Sequence, residues 1–109
     1  MESSSSSNNK VAVVTGSSTG IGYETSLNLA RNGFLTYATM RNLNKSQNIK
    51  SVTTKENLSI RIKQLDVTDD ASVKNAIQSI SSEAGQIDVL VNNAGYGLMV
   101  LLRILQWMK

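Results

Sequence analysis

Apolar residues in this chain come in short runs separated by polar stretches, and the runs have the lengths of strands. Residues 10–15 contain four consecutive apolar residues, three of them valine, which is typical of a strand buried on both faces. Residues 34–40 form a second, β-branched run, and residues 58–65 alternate apolar with polar positions. Residues 87–91 are apolar again. The pattern predicts four strands.

Helical spacing fills the gaps between these strands. Residues 21–32 predict a helix that Gly33 ends, and residues 46–54 predict a shorter helix. A third helix is indicated by the i, i+3, i+4, i+7 stripe of Val73, Ala76, Ile77 and Ile80. The resulting order, β-α-β-α-β-α-β, predicts an α/β fold with a parallel sheet, truncated after about four strands, and helices on both faces.

The two ends of the chain differ from this middle part. Residues 1–9 are a Ser/Asn tract that cannot bury apolar area, so we expect a disordered tail before a domain over residues 10–97. Residues 98–109 are nearly all apolar but too short to span a bilayer, which takes about 20 residues. As a helix they would align Leu98, Leu101, Leu102 and Leu105 on one face. The fourth strand is then expected at an unpaired sheet edge.

Composition removes several classes of function. The chain has no cysteine and no histidine, which excludes disulfides, thiolate metal sites, Ser-His-Asp catalysis and a zinc hydrolase. Its net charge is +3 and its pI near 9.4, but Lys and Arg are scattered and aromatics are only 5%, which argues against nucleic-acid binding. The polar N-terminus has no signal-peptide pattern, and we predict a cytoplasmic location with no metal site.

Three glycines follow the first strand at once. Gly16, Gly20 and Gly22 have the spacing Gly-x-x-x-Gly-x-Gly, and no lysine follows, so a P-loop is excluded. The spacing alone fits an ordinary strand–helix turn equally well. Its position at the first strand–helix junction, where such folds hold a pyrophosphate on the helix N-terminus, favours a phosphate site.

The end of the second strand bears on the choice of dinucleotide. NAD-binding sheets place a carboxylate there for the adenine ribose hydroxyls. This sequence has Arg41 and no carboxylate, and a guanidinium suits a phosphate. The sequence therefore favours NADP over NAD, with a solvated loop residue as the alternative reading of Arg41.

Polar residues also follow the third and fourth strands. Asp66 ends the third strand, and Asn92, Asn93 and Gly95 end the fourth. The carboxyl ends of parallel strands share one edge, so we expect these residues on the ligand side of the sheet, with Asp66 able to accept from an adenine amino group. The alternatives are a capping or turn aspartate and an ordinary Asn/Gly turn.

Together, the segments at 15–22, 66–67 and 92–95 resemble the motifs of the short-chain dehydrogenase/reductase family over residues 10–99. The resemblance implies a Rossmann-type fold and a nicotinamide cofactor, NADP preferred and NAD open. By match, the pyrophosphate would lie against Gly16, Ser18, Gly20, Ile21 and Gly22. Arg41 would meet the 2′-phosphate, Asp66 and Val67 the adenine, and Asn93, Ala94 and Gly95 the ribose side.

The family's chemistry also needs a Ser and a Tyr-x-x-x-Lys pair, and this sequence contains no Tyr-x-x-x-Lys. We therefore assign no catalytic residue and expect a cofactor-binding, inactive fragment of an oxidoreductase. The intact parent would transfer hydride between NADP(H) and a small alcohol or carbonyl substrate, and a homo-oligomer is left open for it. The alternatives are a non-catalytic nucleotide-binding or interaction module with an amphipathic tail, and a product that does not fold stably.

The genetic code offers an account of residues 98–109. One choice of codons, with a single G restored after the Met99 codon, reads Met-Gly-Ala-Phe-Glu-Asp-Ser-Ser-Met-Asp-Glu, which resembles the family's usual continuation. We prefer this frameshift hypothesis to a genuine amphipathic tail, and we expect no membrane contact. Sequencing the locus tests it, because it requires a downstream reading frame that encodes Tyr-x-x-x-Lys.

Overall fold

Strands and helices alternate along the chain as the apolar pattern predicts. The computed structural model describes residues 10–93 and 99–102. Its strands are β1 (Val11–Val14), β2 (Leu35–Met40), β3 (Ile60–Gln64), β4 (Val89–Asn92) and β5 (Met99–Leu102). Its α-helices are α1 (Gly20–Arg31), α2 (Gln47–Glu56) and α3 (Asp70–Ala84), with a short 3₁₀ turn at Leu43–Lys45 before α2.

The strands form one sheet in the order β3-β2-β1-β4-β5. The first four are parallel, with Val13 paired to Tyr37 on one side and to Leu90 on the other. Because they run the same way, the carboxyl ends of β1 to β4 lie at one edge of the sheet. From β1 the chain adds β2 and β3 on one side of the sheet and β4 on the other. At such a change of direction, open α/β sheets bind ligands at the carboxyl edge of their strands.

Helices cover both faces of the sheet, as predicted. On one face, Leu27 of α1 and Ile49 of α2 pack with Ala38 and Met40 of β2. On the other, Ile77 and Ile80 of α3 belong to a cluster completed by Val11, Val13, Tyr37 and Ile87. Strand β1 is buried along its whole length, which explains its run of apolar residues. The parallel sheet with helices on both faces is therefore confirmed as a Rossmann-type α/β fold.

Element ends differ from the sequence-based bounds by one or two residues, and hydrogen bonds explain the shifts. Gly33 has a φ of 94° and Phe34 donates its N–H to Leu29 O at 3.0 Å, so Phe34 closes α1 instead of opening β2. Strand β4 begins at Val89 because the side chain of Asp88, through Oδ2, accepts the N–H of Val11 at 2.8 Å.

The expected free edge of β4 is wrong, and residues 99–102 do not form the helix that was the alternative for the tail. These residues form β5, which pairs antiparallel with β4 from Asn92↔Met99 to Val89↔Leu102. A parallel strand would need a crossover of a dozen or more residues, and only residues 93–98 separate β4 from β5. With so short a connection, the next apolar run can pair with the open edge of β4 only in the antiparallel direction.

None of the helices described within residues 10–93 and 99–102 has the length and hydropathy of a transmembrane span.

A polar network ties α3 to β2 and β3. Tyr37 Oη donates to Glu83 Oε1 at 3.1 Å and accepts from Arg61 Nη1 at 3.1 Å. Lys63 Nζ donates to Glu83 Oε2 and, at 3.0 Å, to Ser79 Oγ. These bonds, first that of Lys63 and then that of Tyr37, hold the pKa of Glu83 below its usual 4.5.

We expect Glu83→Gln to lower the free energy of unfolding at pH 7 and to lower it progressively less in acid. A carboxylate whose pKa is depressed by folding stabilises the folded chain above its unfolded pKa, and this contribution is lost as the pH falls through the folded pKa. The difference between the two proteins should therefore shrink below about pH 4.5. Urea unfolding over a pH series measures it, with Glu24→Gln, at an exposed position of α1, as the control. A difference that does not change with pH would contradict this role.

Candidate functional site

The turn between β1 and α1 is built by its glycines. Gly16 and Gly20 have φ angles of 63° and 64°, a left-handed conformation that side chains disfavour. Gly22 lies in the first turn of α1, and a Cβ there would be 2.1 Å from Gly16 O and 2.8 Å from Asn93 Nδ2. The turn therefore closes directly onto the helix, and only glycine fits at position 22.

The N-terminus of α1 has no side-chain cap. Thr19, at the N-cap position, makes no capping hydrogen bond, and the first turn of the helix contains no acidic residue. At α3, in contrast, the Asp69 carboxylate accepts from Ala71 N and Ser72 N. The first N–H groups of α1 and the positive end of its dipole therefore remain available to an anion.

Buried hydroxyls anchor the turn from below. Ser17 Oγ donates to Val14 O at 2.8 Å, and Ser17 N donates to Thr39 O at 3.0 Å. Ser26 Oγ on α1 lies 3.1 Å from Ser17 Oγ, and Thr39 Oγ1 donates to Val14 O at 2.9 Å. Ser17, Ser26 and Thr39 are all fully buried. They link β1, β2 and α1, a role that no spacing in the sequence indicates.

The end of β4 is joined to the same turn. Thr15 Oγ1 donates to Asn92 Oδ1 at 3.0 Å and accepts from Asn93 N at 2.9 Å. Asn93 Nδ2 donates to Gly16 O at 3.4 Å, the carbonyl that also faces Gly22. Asn93 is thus held beside the glycine turn, and its side chain contributes to the wall that excludes a Cβ from position 22.

A cavity of about 410 Å³ opens at the carboxyl ends of β1, β2 and β3. This volume lies within the usual range for small-ligand sites. Five of the predicted site residues line it, namely Gly16, Ser18, Arg41, Asp66 and Val67. Five others complete the lining, namely Met40, Asn42, Lys45, Leu65 and Thr68.

Two cations line the cavity. Arg41 follows β2, and the carbonyl of Arg41 accepts from Gln64 Nε2 at 3.1 Å, which ties this position to the end of β3. Lys45 lies at the end of the 3₁₀ turn and is exposed, as is Arg41. Lys45 is not among the site residues that the sequence predicts. No sequence period indicates it, because the placement of Lys45 depends on a 3₁₀ turn in which the Asn42 side chain accepts from Asn44 N.

Asp66 lies across the same cavity in an Asx turn. Its Oδ1 accepts from Thr68 N at 3.0 Å and from Thr68 Oγ1 at 2.7 Å. These two bonds, that of the hydroxyl first, lower the pKa of Asp66 below its usual value, and the positive charge of Arg41 adds to the effect. Asp66 is therefore a turn aspartate and an ionised group on the cavity wall, whereas capping of α3 falls to Asp69.

The remaining predicted residues lie beside the cavity or outside the described residues. Gly20, Ile21 and Gly22 are at the start of α1, and the side chain of Ile21 is 62% exposed. Ala94 and Gly95 lie outside the described residues. Within the described part of the chain, no group of three Asp or Glu side chains is placed to hold a metal ion.

The arrangement offers three kinds of recognition along one edge. The start of α1 suits an anion, Arg41 and Lys45 suit a second anion, and the ionised Asp66 suits a hydrogen-bond donor. The glycine turn is common to the helix start and the cavity, because Gly16 lines the cavity and contacts the first turn of α1. A ligand with two separated phosphates and an amino group would satisfy all three.

Comparisons with known proteins point to one family. The family model described as short chain dehydrogenase matches residues 10–106. An uncharacterized oxidoreductase of Schizosaccharomyces pombe is 44% identical over 88 residues, which cover 79% of this chain and 26% of the relative. Menthone neomenthol reductase from Mentha piperita matches with a TM-score of 0.71 at 34% identity, over 81% of this chain and 32% of that one. YwfH, an NADPH dependent reductase involved in bacilysin biosynthesis, matches with a TM-score of 0.74 at 31% identity, over 80% of this chain and 35% of its own.

The matched segment coincides with the described fold. It begins at Lys10, directly before β1, and extends past β5. The chain spans between about a quarter and just over a third of the length of these relatives. The sheet, its strand order and the family match agree, and the chain belongs to the short-chain dehydrogenase/reductase family.

Proposed function

We propose that this chain binds a nicotinamide dinucleotide at the carboxyl edge of its sheet and prefers NADP(H) to NAD(H). The observation that carries the proposal is the cavity that Arg41 and Lys45 share with Asp66, next to the uncapped start of α1. Family membership supplies the ligand class, because these oxidoreductases use a nicotinamide dinucleotide.

The start of α1 is the proposed pyrophosphate site. Gly16 and Gly20 give the turn its left-handed bends, and Gly22 lets it approach the helix. The start of α1, with Ser18 before it and Ile21 in its first turn, then faces the diphosphate with uncapped N–H groups, whereas the N–H of Ser17 is taken by Thr39 O. The exposure of Ile21 agrees with a position on the ligand side, outside the core.

The cation pair carries the proposed preference for NADP(H). A 2′-phosphate is a dianion that needs donors with positive charge, and Arg41 and Lys45 line the cavity with no carboxylate following β2. A ribose with free hydroxyls would instead favour an acidic residue at that place. The structural relative YwfH is described as NADPH dependent, which supports the same preference.

Asp66 and Val67 are proposed to face the adenine, and Asn93, Ala94 and Gly95 the ribose on the nicotinamide side. Asp66 is ionised and half-buried on the cavity wall, so it can accept from the adenine amino group. Asn93 is fixed against Gly16, on the side of the turn away from Arg41.

We further propose that the intact parent transfers hydride between NADP(H) and a small alcohol or carbonyl substrate. The 109 residues contain no Tyr-x-x-x-Lys, so we expect this polypeptide to bind the dinucleotide without turning substrate over. Residues 10–97 form the proposed binding domain. The interaction-module alternative loses its helical basis at residues 99–102, which form β5. A cytoplasmic location, the frameshift and the oligomeric state of the parent remain predictions.

Calorimetric titration of the 109-residue chain with NADPH, and separately with NADH, tests the proposal. We expect saturable 1:1 binding of NADPH, weaker binding of NADH, and no oxidation of NADPH when simple carbonyl compounds are added. Circular dichroism of the same sample shows whether the chain is folded. A folded chain that binds neither nucleotide would contradict the proposal, and equal affinities would remove its NADP preference.

A further inference from the structure

Thr68 lines the cavity and makes two hydrogen bonds to the Asp66 carboxylate. Its backbone N–H and its hydroxyl donate to the same oxygen, Oδ1, at 3.0 and 2.7 Å. Both bonds are charge-assisted, because the acceptor is a carboxylate, and the hydroxyl bond is the shorter of the two. Within residues 10–93 and 99–102, no side chain or backbone group donates to the other oxygen, Oδ2.

The backbone around Asp66 is held as well, so rotation of the carboxylate is the remaining freedom. Asp66 N donates to Ser72 Oγ at 2.9 Å, and Asp66 O accepts from Asp69 N at 3.0 Å. With the main chain fixed at both groups, the two bonds from Thr68 hold Oδ1 in the turn and leave Oδ2 without a bond from Thr68.

We propose that Thr68 is a positioning residue, which fixes Oδ1 of Asp66 and thereby presents Oδ2 to the adenine amino group of the bound dinucleotide. This inference rests on the proposed function. Thr68 acts through Asp66, so removal of its hydroxyl should weaken recognition of the amino group specifically and leave binding of the phosphates nearly unchanged.

A pair of nucleotides isolates the amino group. NADPH donates from its adenine amino group, whereas the reduced nicotinamide hypoxanthine dinucleotide phosphate has a carbonyl oxygen at that place, which a carboxylate repels. We expect the unaltered chain to bind NADPH roughly tenfold more tightly than the hypoxanthine analogue. Thr68→Val should reduce this ratio to about twofold, and Thr68→Ser, which keeps the hydroxyl, should restore it.

The ratio distinguishes positioning from a general loss of structure. A variant that only loosens the fold would weaken the binding of both nucleotides equally and leave the ratio of the two affinities at its original value. Thr54→Val, at an exposed position of α2, is the matched control and should change neither affinity. Asp66→Asn should remove the preference for NADPH over the hypoxanthine analogue. Addition of Thr68→Val to Asp66→Asn should have no further effect on this preference, because both changes act on one contact.

The possible failures are separable. If Thr68→Val lowers both affinities equally, or leaves the ratio unchanged, the inference is overturned while the proposed function stands. If the unaltered chain binds NADPH with no preference over the hypoxanthine analogue, Asp66 does not read the amino group and the inference fails with that assignment. If the folded chain binds neither nucleotide, the proposed function fails first.

Discussion

Replacement of Gly22 by alanine is expected to abolish dinucleotide binding and to destabilise the chain by more than about 3 kcal/mol. The added Cβ would lie 2.1 Å from Gly16 O, 2.7 Å from Gly16 C and 2.8 Å from Asn93 Nδ2. Two of these atoms are backbone, so the contact cannot be relieved by rotation of a side chain. The whole turn would have to move away from α1.

Two opposing effects determine whether Gly22→Ala stabilises or destabilises the chain. Alanine is favoured over glycine inside a helix by about 1 kcal/mol, and Gly22 is a helical position. The overlap with backbone atoms is much larger than this gain, because the displaced turn is held by Ser17, which is fully buried. Loss of the turn's geometry also separates the N–H groups that would face the pyrophosphate.

Gly33→Ala is the matched control for this prediction. Gly33 has a φ of 94°, so alanine is strained there, but its Cβ would meet no atom within 4 Å. We expect a loss of about 1–2 kcal/mol in stability with no change in NADPH affinity, because Gly33 lies at the far end of α1. Urea unfolding and calorimetry measure both properties. A Gly22→Ala protein as stable and as tightly binding as the unaltered chain would contradict the close packing of the turn.

The double variant Arg41→Ala/Lys45→Ala is expected to weaken NADPH binding by roughly 10- to 100-fold and to leave NADH binding nearly unchanged. Both side chains line the cavity, and both are exposed, so the loss should be smaller at high salt, which screens the phosphate charge. Titrations with both nucleotides at low and high salt measure the effect.

Lys50→Ala provides the control for a general loss of positive charge. Lys50 is an exposed cation on α2 that does not line the cavity of Arg41 and Lys45. Its removal changes the net charge by one unit and should alter NADPH affinity by less than about twofold. If the two affinities fall together in the double variant, or if Lys50→Ala has the same effect, the cation pair does not select the 2′-phosphate.

The parallel part of the fold could be predicted because its signals are local and repeated. A run of apolar residues such as Val11–Val14 is what a doubly covered strand requires, and the stripe from Val73 to Ile80 is what a helix on one face requires. Each strand and helix in this part carries its own pattern, and their alternation allows few topologies.

Strand β5 could not be predicted in the same way. The leucines of residues 98–109 fit a helical face as well as a strand, because short apolar runs do not separate the two periods. What determines β5 is non-local: β4 has an edge to satisfy, and the connection of residues 93–98 is too short for a parallel crossover.

The candidate site also contains residues that the sequence predicts and residues that it does not. Gly16, Arg41 and Asp66 could be located from sequence because each follows a strand at the ligand edge. Lys45 and Thr68 belong to the same cavity but lie one turn further along, where their placement depends on the 3₁₀ turn and the Asx turn. Such turns form from side-chain hydrogen bonds that have no fixed sequence period.

The central claim is that a nicotinamide dinucleotide lies along the edge from the start of α1 to Asp66, and NMR tests it most directly. In ¹⁵N-labelled chain titrated with NADPH, we expect saturable amide shifts at Gly16, Gly20, Arg41 and Asp66. The amides of Glu83 and Lys55, which lie outside the proposed site, should stay in place. Shifts confined to residues away from this edge, or none in a folded chain at millimolar NADPH, would contradict the account.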